Sequence, residues 1–96
     1  MKTATPRLSF TAKQGQYLAF IDAYTRVTGY PPAEADLQRH FQVSPPTVHQ
    51  MVLTLEQAGL IRRQPRTPRS IEVLVNPQNL PLLEQRQSVK SSVQRY

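Results

Sequence analysis

The hydrophobic period of this chain changes at Gly59, and that change limits its possible folds more than any other feature. Before Gly59, apolar residues recur at three- and four-residue steps, the spacing of one helical face. After it, Leu60-Ile61-Arg62-Arg63 and Ser70 to Val75 read as two strands rich in β-branched residues. The intervening "QPRTPR" carries two prolines that cannot donate to a ladder, so it reads as the loop of a hairpin.

The helical part is punctuated twice more. "TAKQ" from Thr11 is a capping box, in which the Thr11 hydroxyl and the Gln14 side chain satisfy each other's backbone donors. Tyr17, Phe20, Ile21, Tyr24 and Val27 then form an apolar stripe, expected to face the core. Gly29 ends this helix, and "YPP" blocks its continuation. A second, short helix is expected over Glu34 to Phe41, with Leu37, Phe41 and one of Ala33 or Ala35 inward. Glu34 and Asp36 in its first turn complement the helix dipole. After "QVS" a third helix runs over 44–58. Ser44 is its cap, Pro45 stands at the position that lacks a hydrogen-bond partner anyway, and Val48, Val52 and Leu55 are its buried stripe, with Met51 beside it. Gly59 closes it.

Three helices followed by a two-stranded antiparallel wing make a mainly α fold, the winged helix-turn-helix. The domain is expected over 11–75, preceded by a flexible basic arm (1–10). A tail (76–96) follows, in which Leu82, Val89, Val93 and Tyr96 are spaced to share a helical face.

Twelve Lys and Arg against six Asp and Glu give a net charge of +6, which points to a polyanionic partner. The absence of cysteine excludes a disulfide scaffold, cysteine-ligated zinc and a thiol nucleophile. The two histidines, His40 and His49, lack metal-site spacing and an acidic cluster, so neither a metal nor another cofactor is expected. No apolar run approaches the ~18 residues of a membrane span, and the first ten residues lack a secretory signal pattern. A cytoplasmic, nucleoid-associated protein is expected, with no small-molecule substrate evident.

Residues 11–75 resemble the N-terminal DNA-binding domain of the LexA repressors, regulators of the bacterial SOS response. The resemblance rests on the "T-x-x-Q" start, "TGYPP" before the second helix, "VSPPTV" opening the third, and "L-x-x-x-G-L-I" running into the wing. It implies a sequence-specific double-stranded DNA-binding regulator of bacterial type, acting as a repressor. LexA repressors also carry a self-cleaving serine peptidase domain that dimerises. This sequence reaches Tyr96 where such a domain would begin, so no self-cleavage and no enzymatic activity are expected of it. Acidic residues on the groove side of the LexA recognition helix are matched here by His49 and Gln50, so the operator does not carry over.

In helix-turn-helix proteins the start of the second motif helix enters the major groove. The expected base-contacting residues are therefore Ser44, Pro46, Thr47, His49 and Gln50. Gln50 suits adenine, Thr47 a base or a thymine methyl, and His49 is expected to donate to guanine or phosphate. No acid lies between Gln42 and Leu55 to repel phosphate. The wing carries a third of the positive residues, Arg62, Arg63, Arg66 and Arg69, with no acid between Leu60 and Ser70. Edge protection explains part of this charge; contact with phosphate or a narrow minor groove explains the rest. Lys13 and Arg39 are further phosphate candidates.

A homodimer stays open, since operators are commonly two-fold. Two other readings compete: a protein-docking winged helix, because fold alone does not fix function, and a sequence-blind DNA binder.

Overall fold

The computed structural model describes residues 9–84. Helix α1 spans Ala12–Thr28, α2 Glu34–Phe41 and α3 Pro45–Gln57, followed by strands β1 (Ile61–Arg62) and β2 (Glu72–Val73). The strands are antiparallel, pairing Ile61 with Val73 and Arg62 with Glu72. This is the expected winged helix, with a shorter ladder than the alternating pattern suggested. One further bond, from Leu74 N to Leu60 O at 2.9 Å, extends the pairing.

Local chemistry sets each boundary. At α1 the Thr11 hydroxyl accepts from Gln14 N–H at 3.1 Å, and the Gln14 carboxamide accepts from Thr11 N–H at 2.9 Å. Gly29 closes α1 at φ 89°, a left-handed turn that costs an L side chain about 1–2 kcal/mol. Asp36 reaches back to accept from Ala33 N–H at 2.8 Å, the half of a capping box that needs no side chain at Ala33. Ser44 and the two prolines start α3. Its end is closed by a bond from Leu60 N to Leu55 O at 3.0 Å around Gly59, whose φ is 79°.

The core joins all five elements. Tyr17, Leu18 and Ile21 of α1 meet Leu37 and Phe41 of α2, Val48, Val52 and Leu55 of α3, and Leu60, Ile61, Ile71 and Val75 of the hairpin. Tyr17 and Phe41 stack with ring centroids 4.0 Å apart. Each aliphatic side chain so buried contributes about 1.5–3 kcal/mol. The expected stripe of α1 needs a correction at its end. Val27 is 85% exposed in the last turn of α1, where no described element covers it. Leu18, absent from that stripe, is fully buried: α1 turns a wider face to the core than one row.

Beyond Val75 the chain makes a single 3₁₀ turn at Pro77–Asn79 and then lies back against the start of α1. The Gln16 carboxamide donates to Leu82 O at 2.9 Å and accepts from Glu84 N–H at 2.7 Å. Gly15 permits the approach, since a Cβ there would sit 3.0 Å from both the Phe10 and Pro81 rings. In the tail, read from the sequence as either a helix or a disordered linker, Leu82 is exposed outside any helix; Val89, Val93 and Tyr96 lie outside the described residues, as do residues 1–8 of the arm.

Candidate nucleic-acid interface

The start of α3 is presented to solvent by its own periodicity. Val48, Val52 and Leu55 are essentially inaccessible, which turns Thr47, His49 and Gln50 outward together with Ser44, Pro45 and Pro46. All five expected base-contacting residues therefore share one exposed helix start. Ser44 Oγ and Thr47 Oγ1 are 2.9 Å apart, and Thr47 N–H points to Ser44 Oγ at 3.4 Å. That pair fixes the first turn while leaving each hydroxyl spare bonding capacity. Gln50 Nε2 has only a 3.5 Å contact with Thr54 Oγ1, at the limit of a hydrogen bond, so its amide is available to a ligand.

The four wing arginines occupy different environments. Arg62 donates from Nε to Glu72 at 2.7 Å across the ladder, with both side chains well exposed. Arg63 folds inward: its Nε lies 3.1 Å from Glu56 and its Nη1 3.5 Å from Glu34. Arg69 points away from the tip, to Asp36 at 3.1 Å, the Tyr24 hydroxyl at 3.2 Å and Pro31 O at 3.3 Å, and it packs over the Tyr30 ring. Arg66 is exposed and makes no ion pair among the described residues. It stands at φ 59° in a turn closed by Thr67 N to Gln64 O at 3.2 Å, with Pro65 before it. Ser70 secures this loop, accepting from Gln64 N–H at 3.0 Å and donating to Thr67 O at 2.8 Å.

Of the outlying candidates, Lys13 is exposed in the first turn of α1, and Arg39 is paired with Asp36 at 3.2 Å. Asp36 is thus shared by a backbone donor and two guanidinium groups. The Ala33 N–H bond, seconded by Arg69 and Arg39, holds its carboxyl below the ordinary range, against the opposing effect of burial.

Sequence reasoning missed Glu34. No acid lies within α3's groove-side segment, yet the fold brings the Glu34 carboxylate to 3.3 Å from His49 Nδ1. The partners are fifteen residues apart, and only the crossing of α2 and α3 unites them. Tyr24, expected in the core, is half-buried and offers its hydroxyl to Arg69.

A helix-turn-helix whose second helix is exposed at its start, beside an arginine-tipped hairpin, defines the class of winged helix-turn-helix DNA-binding proteins. Within that class the family is specific. Residues 8–70 match the model of the LexA DNA-binding domain, and the chain belongs to that family. It is 37% identical over 70 residues to the LexA repressor of Thermosipho africanus, covering 73% of this chain and 35% of that protein. Over 68 residues it is 41% identical to the LexA repressor of Pelotomaculum thermopropionicum, with 70% and 34% covered. With that of an Exiguobacterium species it shares 39% over 80 residues, 82% and 38%. The chain thus spans little more than a third of the length of these relatives. Among the described residues no helix is long and apolar enough to cross a membrane.

Proposed function

We propose that this protein is a sequence-specific double-stranded DNA-binding transcriptional regulator that represses by occupying an operator, in the cytoplasm and on the nucleoid. The observation that carries this reading is the rigid, outward-facing start of α3, seated on a core that fixes its orientation. Thr47, His49 and Gln50 read base edges, Pro46 packs against them, and Ser44 with the free N–H groups of the helix start holds a phosphate. Arg66 supplies the wing's phosphate or minor-groove contact. Arg62, on the exposed ladder, supports it, and Lys13 and Arg39 add weaker phosphate contacts. Arg63 and Arg69 act indirectly by holding the wing against α2 and α3. Nothing in this mechanism calls for self-cleavage.

The test is selection of bound sequences from a randomised duplex pool at low and near-physiological salt. An enriched motif that survives the higher salt is expected, and a two-fold motif would assign a homodimer. Binding without enrichment that collapses with salt would leave a sequence-blind binder. No binding at either salt would point to a protein-docking module.

A further inference from the structure

One contact near the reading face ties α2, α3 and the root of the wing together. His49 Nδ1 is 3.3 Å from both oxygens of the Glu34 carboxylate. That carboxylate also meets Arg63 Nη1 at 3.5 Å, and Arg63 is held by Glu56 through Nε at 3.1 Å. The Arg63 side chain is only 25% exposed, while His49 is 56% exposed. A half-buried guanidinium thus restrains the acid, and the acid engages one nitrogen of an otherwise open imidazole.

The chemistry of that contact is asymmetric. An ionised carboxylate accepts hydrogen bonds and donates none, so the nitrogen facing it must carry the proton. The neutral ring then exists as the Nδ1–H form, opposite to the Nε2–H form favoured by an unrestrained histidine. Its Nε2, which has no partner among the described residues, becomes an acceptor. An acceptor does not bind phosphate oxygens or the N7 and O6 atoms of guanine. It pairs with the exocyclic amino groups of adenine N6 or cytosine N4.

We infer that Glu34, braced by Arg63, is a positioning residue that fixes the tautomer of His49, and so directs His49 Nε2 to an adenine or cytosine amino group. This inference rests on the proposed reading of DNA by α3. It reverses the donor role that the sequence suggested for His49, and it gives Glu34 and Arg63 a part in specificity without contact with DNA. Glu34 from α2, Arg63 from the wing root and Glu56 of α3 are the charged groups gathered around this site.

Two measurements test it, one without DNA. Nitrogen-15 NMR of the neutral imidazole should show His49 as Nδ1–H in the wild type and shifted toward Nε2–H in Glu34→Gln. An Nε2–H wild type would overturn the inference whatever the protein binds. Pool selection with wild type, Glu34→Gln and His49→Ala then follows. His49→Ala should lose preference at one base pair, where the wild type selects adenine or cytosine. Glu34→Gln should relax the same position at least threefold and leave the rest of the motif intact. A motif unchanged in both variants would sink the inference while upholding DNA reading. A failure of every protein to enrich a motif would remove the DNA reading and the inference together.

Discussion

Arg69 and Asp36, one at the far root of the wing and the other in the first turn of α2, stand 3.1 Å apart. The same guanidinium meets the Tyr24 hydroxyl of α1, so one side chain joins three elements. On the other side of the hairpin, Arg63 makes the equivalent tie to Glu56 of α3 and Glu34 of α2. The wing's two-pair ladder is short, so its orientation rests on the buried Leu60, Ile61, Ile71 and Val75, and these two bridges add to that hold against the helices. Positive charge in the wing is therefore divided between residues that tie the hairpin at its root and Arg66 at its tip, where the DNA contact is proposed.

Asp36 makes the tie at the root measurable. Asp36→Ala removes the acceptor for Ala33 N–H and the partner of Arg69, and should lower stability by about 1–2 kcal/mol. For a domain of this size that is roughly 4–8 °C in Tm per kcal/mol. The Asp36 carboxyl is depressed by its partners, chiefly the Ala33 N–H. Its contribution is therefore complete above the unfolded carboxylate value of about 3.9, and is lost as pH falls through the lower folded value. Thermal melts of the two proteins should differ most at neutral pH and draw together in the acid limb. An equal gap at all pH values would mean that the ionised form is not what matters.

Arg66 isolates the contact proposed at the tip. Its φ of 59° is one that glycine adopts freely, so Arg66→Gly should leave stability unchanged or raise it by up to about 1 kcal/mol. Binding to DNA should weaken, and the slope of log affinity against log salt should fall by about 1. Titrations at several salt concentrations, paired with melts, separate the two effects. An unchanged slope would mean that the wing tip does not reach a phosphate.

Gln50 should behave in the opposite manner. Gln50→Ala removes an exposed amide that only grazes Thr54, so no folding cost is expected. Discrimination at one base pair should fall by about 1–3 kcal/mol while the salt slope holds. Competition binding with single-base variants of the selected site gives the answer.

The sequence disclosed α3 almost completely, because its signals are local: Ser44-Pro45-Pro46 start it, Gly59 ends it, and Val48, Val52 and Leu55 have no second register to choose. The arginines of the wing were legible as a charge excess and illegible as individuals. Arg63 finds Glu34 twenty-nine residues away, a pairing that exists only once α2 lies across α3. Counting acids between Leu60 and Ser70 could not reveal it. The strands shrank for a related reason. The positive φ of Arg69 turns the backbone just before Ser70, where alternation alone would begin a strand.

Val27 and Leu18 test how the helical period was misread. Val27→Lys should change stability by no more than about 0.5 kcal/mol, as expected for an exposed position. Leu18→Ala should cost about 2–5 kcal/mol, because the side chain it truncates is fully enclosed. Denaturant titration of both variants compares them directly. A large cost at Val27 would mean that something covers the end of α1 in solution.

Gln16 makes the last prediction, which concerns where the folded unit ends. The alternating pattern stops at Val75, yet Leu80 packs on the core and residues 81–84 lie along α1. Two hydrogen bonds from a single carboxamide hold Leu82 and Glu84 as a neighbouring strand would. Each is exposed and worth about 0.5–1.5 kcal/mol, enough to order a short segment but not to govern global stability. Gln16→Ala should therefore abolish slow exchange of the Glu84 amide while leaving the amides around Leu55 protected. Gly15→Val should do the same by driving Phe10 and Pro81 apart. Exchange at Glu84 that stays slow in both variants would mean that the strap is held by contacts other than Gln16.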